Sequence, residues 1–314
     1  GIWAFMPLSR RRVVAAVGIF IAVTTFSSLL VMGSYLLHFE EYNALYKVGK
    51  TIPTPIIHVR YGYFLALGAI GATGLFMDRS VVSGRWRKLI IVMGVWLVVC
   101  VHILAVRTGI FALYGGFLSL GFAYAILRRG WRPLAISVAV IAAMLAGSIV
   151  LLPSVGNKLQ YMMHDLMMLR TEGISPEYSD NLRLISIMHG MAIFVQHPLI
   201  GVGIGDVEDE MEVYYNERSP MIPQERRFPP ISQYVFWLCG FGLVGTSILV
   251  GLLIYPLLRS GWQSYLLIGI YALTAFSFLA ETTIQLQLGK TVFVLLVSVV
   301  SAGILSRSMQ PGET

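Results

Sequence analysis

Charged residues and cysteines are scarce in this 314-residue chain, and both shortages narrow its class. Only 12% of the residues are Asp, Glu, Lys or Arg, whereas a soluble domain has about a quarter. The two cysteines, Cys100 and Cys239, lie inside apolar runs, which excludes a disulfide framework and a cysteine zinc site. So few charges also argue against nucleic-acid binding, although the net charge is +7.

Apolar residues supply 56% of the chain instead. A helix needs roughly 20 apolar residues to cross the hydrocarbon core of a bilayer. Eight such runs cover residues 13–37, 56–77, 89–106, 109–127, 133–152, 231–257, 263–280 and 290–306. They predict an all-α, polytopic transmembrane bundle that forms a single membrane domain over residues 1–314. Because the chain begins with Gly1 rather than Met, we expect it to be the C-terminal portion of a longer protein with further spans.

Basic residues predict the orientation of the bundle, because short cytoplasmic loops carry an excess of Lys and Arg. Twelve of the 23 basic residues lie on one side of the predicted spans: Arg10, Arg11, Arg12, Arg79, Arg85, Arg87, Lys88, Arg128, Arg129, Arg132, Arg259 and Arg307. We therefore expect this side to face the cytoplasm, together with both ends of the chain.

A long segment, residues 153–230, lies on the opposite side and contains eleven acidic and six basic residues. Apolar residues recur at helical spacing from 155 to 172, and 181–196 forms a second helical stretch. The segment is therefore predicted to be a helical insertion outside the cytoplasm. Its glycine-rich part, 201–205, follows no strand and opens no phosphate-binding loop, so it is a very weak indication of nucleotide binding.

Three arginines, Arg60, Arg107 and Arg183, lie at the outer boundary of the predicted bundle. Each could simply extend its side chain to the interface, as arginines near helix ends commonly do. Three on one side also suit a phosphate or diphosphate, which guanidinium groups bind in a bidentate manner. Glu281 lies at the outer end of the seventh run and either pairs with an outer arginine or contacts a substrate.

Histidines give no sign of a metal site, because no pair of the six has a zinc-binding spacing beside a carboxylate. We expect neither a metal nor a cofactor. A transporter of a polar or anionic solute is an alternative function, and it would place ionisable residues within several spans. Here His102 is the main ionisable residue within the predicted spans, and the other charges lie at their outer edge. This distribution favours chemistry at the membrane interface over transport of a solute through the membrane.

Several motifs resemble those of one family. Residues 181–186 (NLRLIS) are followed, after a helical stretch, by 197–205 (HPLIGVGIG); further on, Ser232 and Gln233 precede Gly242 and Gly245. Residues 106–109 (VRTG) and 281–289 (ETTIQLQLG) complete the set. In this order, over about 56–304, they resemble the O-antigen ligase and O-antigen polymerase superfamily, bacterial integral-membrane glycosyltransferases.

This resemblance implies a donor, undecaprenyl pyrophosphate carrying an O-antigen-like glycan, at the periplasmic face of the bacterial inner membrane. The acceptor would be a hydroxyl of lipid A core or of another lipid-linked glycan, as in lipopolysaccharide biosynthesis. Arg60, Arg107, Arg183, Ser232, Gln233 and Glu281 are the expected substrate-binding residues. A diphosphate is a good leaving group, so the transfer needs no metal. Membrane lipids would surround the polyprenyl tail of the donor.

One position departs from the pattern, because the histidine that acts as the presumed general base in the ligases falls on Ile231. Isoleucine cannot accept a proton. Three explanations remain open: another imidazole replaces it, the acceptor differs, or the protein is a catalytically inactive family member. His189 and His197 are the nearby imidazoles in the sequence and are therefore the expected catalytic residues.

Overall fold

The computed structural model describes residues 8–77, 84–127, 130–171, 179–261 and 264–308. Within these ranges the chain is helical and contains no strand. The twelve described α-helices are α1 (Arg10–Leu37), α2 (Phe39–Lys47), α3 (His58–Met77), α4 (Gly84–Ile103), α5 (Arg107–Leu127), α6 (Arg132–Leu151), α7 (Pro153–Thr171), α8 (Ser179–Gln196), α9 (Val207–Arg218), α10 (Gln233–Pro256), α11 (Tyr265–Ala280) and α12 (Gln287–Ser308). The predicted all-α class is confirmed.

Seven helices of the described part are long and apolar enough to cross a membrane, namely α1, α3, α4, α5, α6, α10 and α12. The seventh predicted run corresponds to α11, an apolar helix of only 16 residues. The chain is therefore a multi-pass helical membrane protein. Arg79, Arg128 and Arg129, which were used to predict the orientation, lie outside the described residues, as does the side chain of Arg307.

Two compact units make up the chain. The first contains Gly1–Lys158, Tyr255–Ser277 and Gln287–Thr314, and the second contains Leu159–Ile254 and Phe278–Leu286. The predicted single domain and the predicted insertion at 153–230 stay predictions. The helical stretches expected within that insertion are present as α7 and α8, and the acidic residues after 206 form α9.

Helix α3 is the central helix of the first unit. Its apolar stretch is 78% buried inside the protein, whereas that of α6 is only 6% buried. Small residues allow α3 to approach its neighbours closely, as is common between membrane helices. A Cβ atom on Gly62 would overlap the side chain of Val106, and one on Gly74 would lie 2.7 Å from the Leu266 Cα atom.

Several polar groups inside the first unit form hydrogen bonds. The Trp96 indole donates a hydrogen bond to Ser28 Oγ at 2.8 Å, and the hydroxyls of Tyr63 and Thr274 lie 3.0 Å apart. His102 contacts the Val98 carbonyl through Nδ1 at 2.7 Å and the hydroxyl of Tyr114 through Nε2 at 2.6 Å. The histidine that was the main ionisable residue within the predicted spans is therefore hydrogen-bonded within the bundle.

The second unit has an apolar core of its own, to which α8, α9 and the first half of α10 contribute side chains. Its buried side chains include Leu182, Ile185, Ile193, Met211, Tyr214, Tyr215, Phe236, Trp237 and Phe278. The rings of Trp237 and Phe278 meet edge to face, with centroids 5.3 Å apart. This core ties the end of α11 to α10 and so determines where the polar residues beside them lie.

Candidate active site in the second unit

Helix α8 places Arg183 beside the end of α11. Its Nη1 atom donates a hydrogen bond to the carbonyl of Ala280 at 3.1 Å and lies 3.8 Å from Glu281 Oε2. The last carbonyls of a helix have no partner within that helix, so a guanidinium satisfies one of them here. The pairing of Glu281 with an arginine is thus present, with the Arg183 side chain 33% exposed and that of Glu281 18%.

The segment before α10 is held between α8 and α11 by serine hydroxyls. The backbone N–H of Ile231 donates to Ser186 Oγ at 3.3 Å, and Ser232 Oγ donates to the carbonyl of Phe278 at 3.1 Å. Ser186 in turn donates its hydroxyl hydrogen to the Arg183 carbonyl at 2.8 Å. These bonds place Ile231 next to α8, the helix that carries Arg183. Ile231 is the position at which the sequence departs from the family pattern.

Gln233, the first residue of α10, is completely buried and only half satisfied. Its Oε1 atom accepts a hydrogen bond from the backbone N–H of Ile284 at 3.1 Å. Its Nε2 atom is buried and has no hydrogen-bond partner among the described residues. Leaving a buried amide donor unpaired costs about 1–3 kcal/mol, so this contact of Gln233 is only partly favourable.

Four of the six predicted substrate-binding residues therefore come together in the second unit: Arg183, Ser232, Gln233 and Glu281, connected through the backbone of residues 278–284. The other two belong to the first unit. Arg60 is the third residue of α3 and Arg107 is the first residue of α5. Whether all six surround one cavity stays a prediction.

The predicted turn around Arg107 lies slightly earlier in the chain than the sequence indicated. Helix α4 ends at Ile103 and α5 begins at Arg107, so the turn occupies 104–106 rather than 106–109. Ala105 adopts a positive φ of 48°, a conformation that residues other than glycine rarely adopt. The turn is as tight as predicted, and Arg107 stands at the start of a helix.

The two predicted catalytic histidines lie in different surroundings. His189 is 7% exposed, its Nε2 atom lies 3.1 Å from Ser219 Oγ, and its ring meets that of Tyr215 edge to face at 5.0 Å. Burial, and to a smaller extent the positive charge of Arg218, lowers the pKa of His189. His197 is exposed and directly follows α8. A catalytic role for either one stays a prediction.

The glycine-rich turn at 197–205 has a structural role that the sequence did not reveal. Helix α10 is broken at Gly242, where φ is 60°. The carbonyls of Cys239 and Gly240 accept hydrogen bonds from the N–H groups of Val202 at 2.9 Å and Gly203 at 3.0 Å. The N–H groups of Leu243 and Val244 donate to the carbonyls of Pro198 at 2.8 Å and Leu199 at 3.1 Å.

This arrangement is an exchange of backbone partners. In an unbroken α-helix the N–H of residue 243 would bond the carbonyl of 239, and that of 244 the carbonyl of 240. The turn supplies a new partner for all four groups, so the break leaves none of them unpaired. Gly201 and Gly242 both have a positive φ. The sequence pattern alone did not reveal that these two glycines lie in the exchange.

The fold and the site define a class of protein: a multi-pass helical membrane protein in which arginine, amide, hydroxyl and carboxylate groups gather around the ends of helices. A family model described as O-antigen ligase matches residues 92–250, which is about half of the chain, and the chain belongs to this family. No curated protein matches it. The family implies glycosyltransferase-type activity on a lipid-linked glycan and an acceptor.

The matched stretch includes most of the candidate residues. Of the positions discussed above, it contains Arg107, Arg183, His189, His197, Ser232 and Gln233, while Arg60 and Glu281 lie outside it. Within the described residues, no three His, Cys, Asp or Glu side chains are grouped so that they could hold a metal ion.

Proposed function

We propose that this protein transfers an O-antigen-like glycan from undecaprenyl pyrophosphate to an acceptor hydroxyl at the periplasmic face of the bacterial inner membrane. The acceptor is lipid A core or another lipid-linked glycan. The observation that carries the proposal is the state of Arg183. Its Nη1 atom is fixed on the Ala280 carbonyl, while its Nε and Nη2 atoms have no hydrogen-bond partner among the described residues and the side chain is one-third exposed.

Such an arginine suits a diphosphate leaving group. In the transfer, the bond between the anomeric carbon and the phosphate oxygen breaks and the leaving diphosphate gains negative charge. A guanidinium already fixed by the protein stabilises that charge without reorganising, and its parallel N–H groups match two phosphate oxygens. Arg60 and Arg107 are proposed as further cations for the same group.

Gln233 and Ser232 are proposed to orient the glycan. The Gln233 Nε2 atom keeps two unused donors while its Oε1 atom is anchored by the Ile284 backbone. Ser232 donates its hydroxyl hydrogen to Phe278 and so keeps lone pairs that accept a hydrogen bond. Orienting the donor and the acceptor at one interface supplies much of the rate.

The proton of the acceptor hydroxyl needs a base, and Ile231 cannot be that base. Both candidates stand on or just after α8, the helix that carries Arg183. At about 1.5 Å of rise per residue, His189 lies roughly 9 Å and His197 roughly 20 Å from Arg183 along this helix. We propose His189 as the nearer candidate; its lowered pKa keeps it neutral, and so able to accept a proton, at pH 7.

A reconstituted assay tests the proposal. The protein in proteoliposomes receives undecaprenyl-pyrophosphate-linked glycan and lipid A core, and the release of undecaprenyl pyrophosphate is measured. We expect release by the unmodified protein and its loss, by about a hundredfold or more, in Arg183→Ala and Arg107→Ala. Arg226→Ala, which changes an exposed arginine of the second unit outside the cluster, is the matched control and should retain activity.

The alternatives give different results in the same assay. An inactive family member would release no undecaprenyl pyrophosphate with any acceptor. A transporter would take up a polar or anionic solute into liposomes without glycan transfer. Either result would refute the proposed reaction.

A further inference from the structure

An apolar groove lies on the first unit, beside the half of α5 that is farther from Arg107. It has a volume of about 540 Å³ and is lined by Leu118, Ser119, Phe122, Ala123, Ile126, Leu127, Leu134 and Ile268. These residues belong to α5, α6 and α11. A volume of this size is within the range of about 300–1,000 Å³ that is usual for ligand sites.

The groove's lining residues on α5 cover about the thickness of one leaflet of a bilayer. Its lining on α5 extends from Leu118 to Leu127, the last residue of that helix. At about 1.5 Å per residue this distance is about 14 Å, and half of a hydrocarbon core of about 30 Å is about 15 Å. The groove therefore matches the length of an acyl chain within a single leaflet.

An aromatic residue and a positive charge stand at the start of α6, the helix that contributes Leu134 to the groove. The ring of Trp131 lies 6.2 Å from that of Phe122, which lines the groove, and Trp131 is 67% exposed. Arg132, also exposed, is the first residue of α6 and precedes the lining residue Leu134 by two positions. Tryptophan and arginine are the residues that typically mark the level of lipid headgroups.

We propose that this groove binds an acyl chain of an anionic phospholipid, with the phosphate of its headgroup at Arg132. The lipid belongs to the leaflet on the arginine-rich side, which the distribution of basic residues assigns to the cytoplasm. Basic pockets between membrane helices on that side bind anionic headgroups. The exposed arginine at the start of α6 and a lining that covers about one leaflet along α5 favour a phospholipid over a polyprenyl chain, which is long enough to cross both leaflets.

Competition between lipids tests this site without any glycan transfer. The purified protein in detergent is mixed with equal amounts of dioleoyl phosphatidylglycerol and dioleoyl phosphatidylcholine, and the bound lipids are counted by native mass spectrometry. We expect phosphatidylglycerol to bind about fivefold more tightly, as one arginine near a surface predicts. Arg132→Gln should reduce this preference, whereas Arg12→Gln, an exposed arginine of α1, should keep it.

A second pair of variants tests the groove itself. Ala123→Trp fills the groove and should lower the binding of both phospholipids, while Ala139→Trp on the exposed part of α6 should not. Equal binding of the two phospholipids by the unmodified protein, or an unchanged preference in Arg132→Gln, would overturn the proposal. Tighter binding of undecaprenyl phosphate than of phosphatidylglycerol, lost in Ala123→Trp, would show that a prenyl chain is the occupant.

Discussion

At the scale of single residues, the proposed chemistry depends on the geometry of Arg183 and not only on its charge. Its Nη1 atom is held by a backbone carbonyl, and we propose that its other nitrogens act together on a ligand. Lysine would keep the positive charge but would offer one point donor instead of a planar fork.

We therefore predict that Arg183→Lys is also strongly impaired, by about tenfold to a hundredfold in turnover. The measurement is the rate of undecaprenyl pyrophosphate release at saturating acceptor, with Arg226→Lys as the matched control. Near-normal turnover in Arg183→Lys would show that charge alone is sufficient.

His189 gives a prediction for stability. Its pKa is lowered in the folded protein by burial and by Arg218, so between its unfolded value of about 6.5 and its lower folded value the unfolded chain binds more protons. The free energy of unfolding is therefore highest above about pH 6.5 and decreases as the pH falls from there toward the lower pKa of His189 in the folded protein.

The measurement is thermal unfolding in detergent at pH 7.5 and pH 5.5. The difference in melting temperature between the two pH values should be smaller in His189→Asn than in the unmodified protein. His197→Asn, a change at an exposed histidine, is the control and should leave the difference as it is. An identical pH dependence in His189→Asn would contradict the assigned cause.

Residue identities were predictable from the sequence, but their contacts were not. The motifs pointed to Arg183, Ser232, Gln233 and Glu281, which the second unit does bring together. The hydrogen bond from the Ile284 backbone to Gln233 joins positions 51 residues apart. Such a bond follows from how α10 and α11 pack, and a short motif does not encode that packing.

At the scale of elements, the break in α10 is the feature that requires most explanation. The turn at 198–203 replaces the backbone partners that the break removes, which makes the two segments dependent on each other. A Cβ atom on Gly201 would lie 2.6 Å from the Gly242 nitrogen. Because the nearby atoms are backbone, they cannot move aside without breaking the exchange.

We predict that Gly201→Ala destabilises the protein by about 2 kcal/mol or more, since it adds a clash to a positive φ. Gly205→Ala is the matched control, because no atom lies within 4 Å of the added Cβ atom. Denaturant unfolding followed by circular dichroism compares the two variants. Equal stability of both variants would show that the exchange contributes little.

Element boundaries show what periodicity could and could not predict. Long apolar runs predicted the membrane helices, since the hydrocarbon core demands such runs. The turn between α4 and α5 was displaced, because Ala105 takes a positive φ that nothing in its type indicates. The roles of Gly201 and Gly242 were missed for another reason: the backbone hydrogen bonds beside them join segments that are far apart in the sequence.

At the scale of the whole molecule, the proposed reaction requires the second unit to face away from the cytoplasm. Two single-cysteine positions test this, because the native Cys100 and Cys239 are both 0% exposed and should react slowly. Glu225→Cys lies in an exposed turn of the second unit, and Arg85→Cys lies at the exposed start of α4.

In intact spheroplasts, a membrane-impermeant maleimide should label Glu225→Cys but label Arg85→Cys only after permeabilisation. The measurement is the labelled fraction by mass shift on a denaturing gel. The reverse pattern would invert the topology and place the candidate site on the cytoplasmic side.

The most direct test of the central claim is equilibrium binding of undecaprenyl pyrophosphate to the purified protein. If Arg183 binds the diphosphate, Arg183→Ala should weaken binding about tenfold or more, as the loss of a charge-assisted hydrogen bond predicts. Arg226→Ala should stay within about twofold of the unmodified protein. Unchanged binding in Arg183→Ala would contradict the claim that this arginine holds the leaving group.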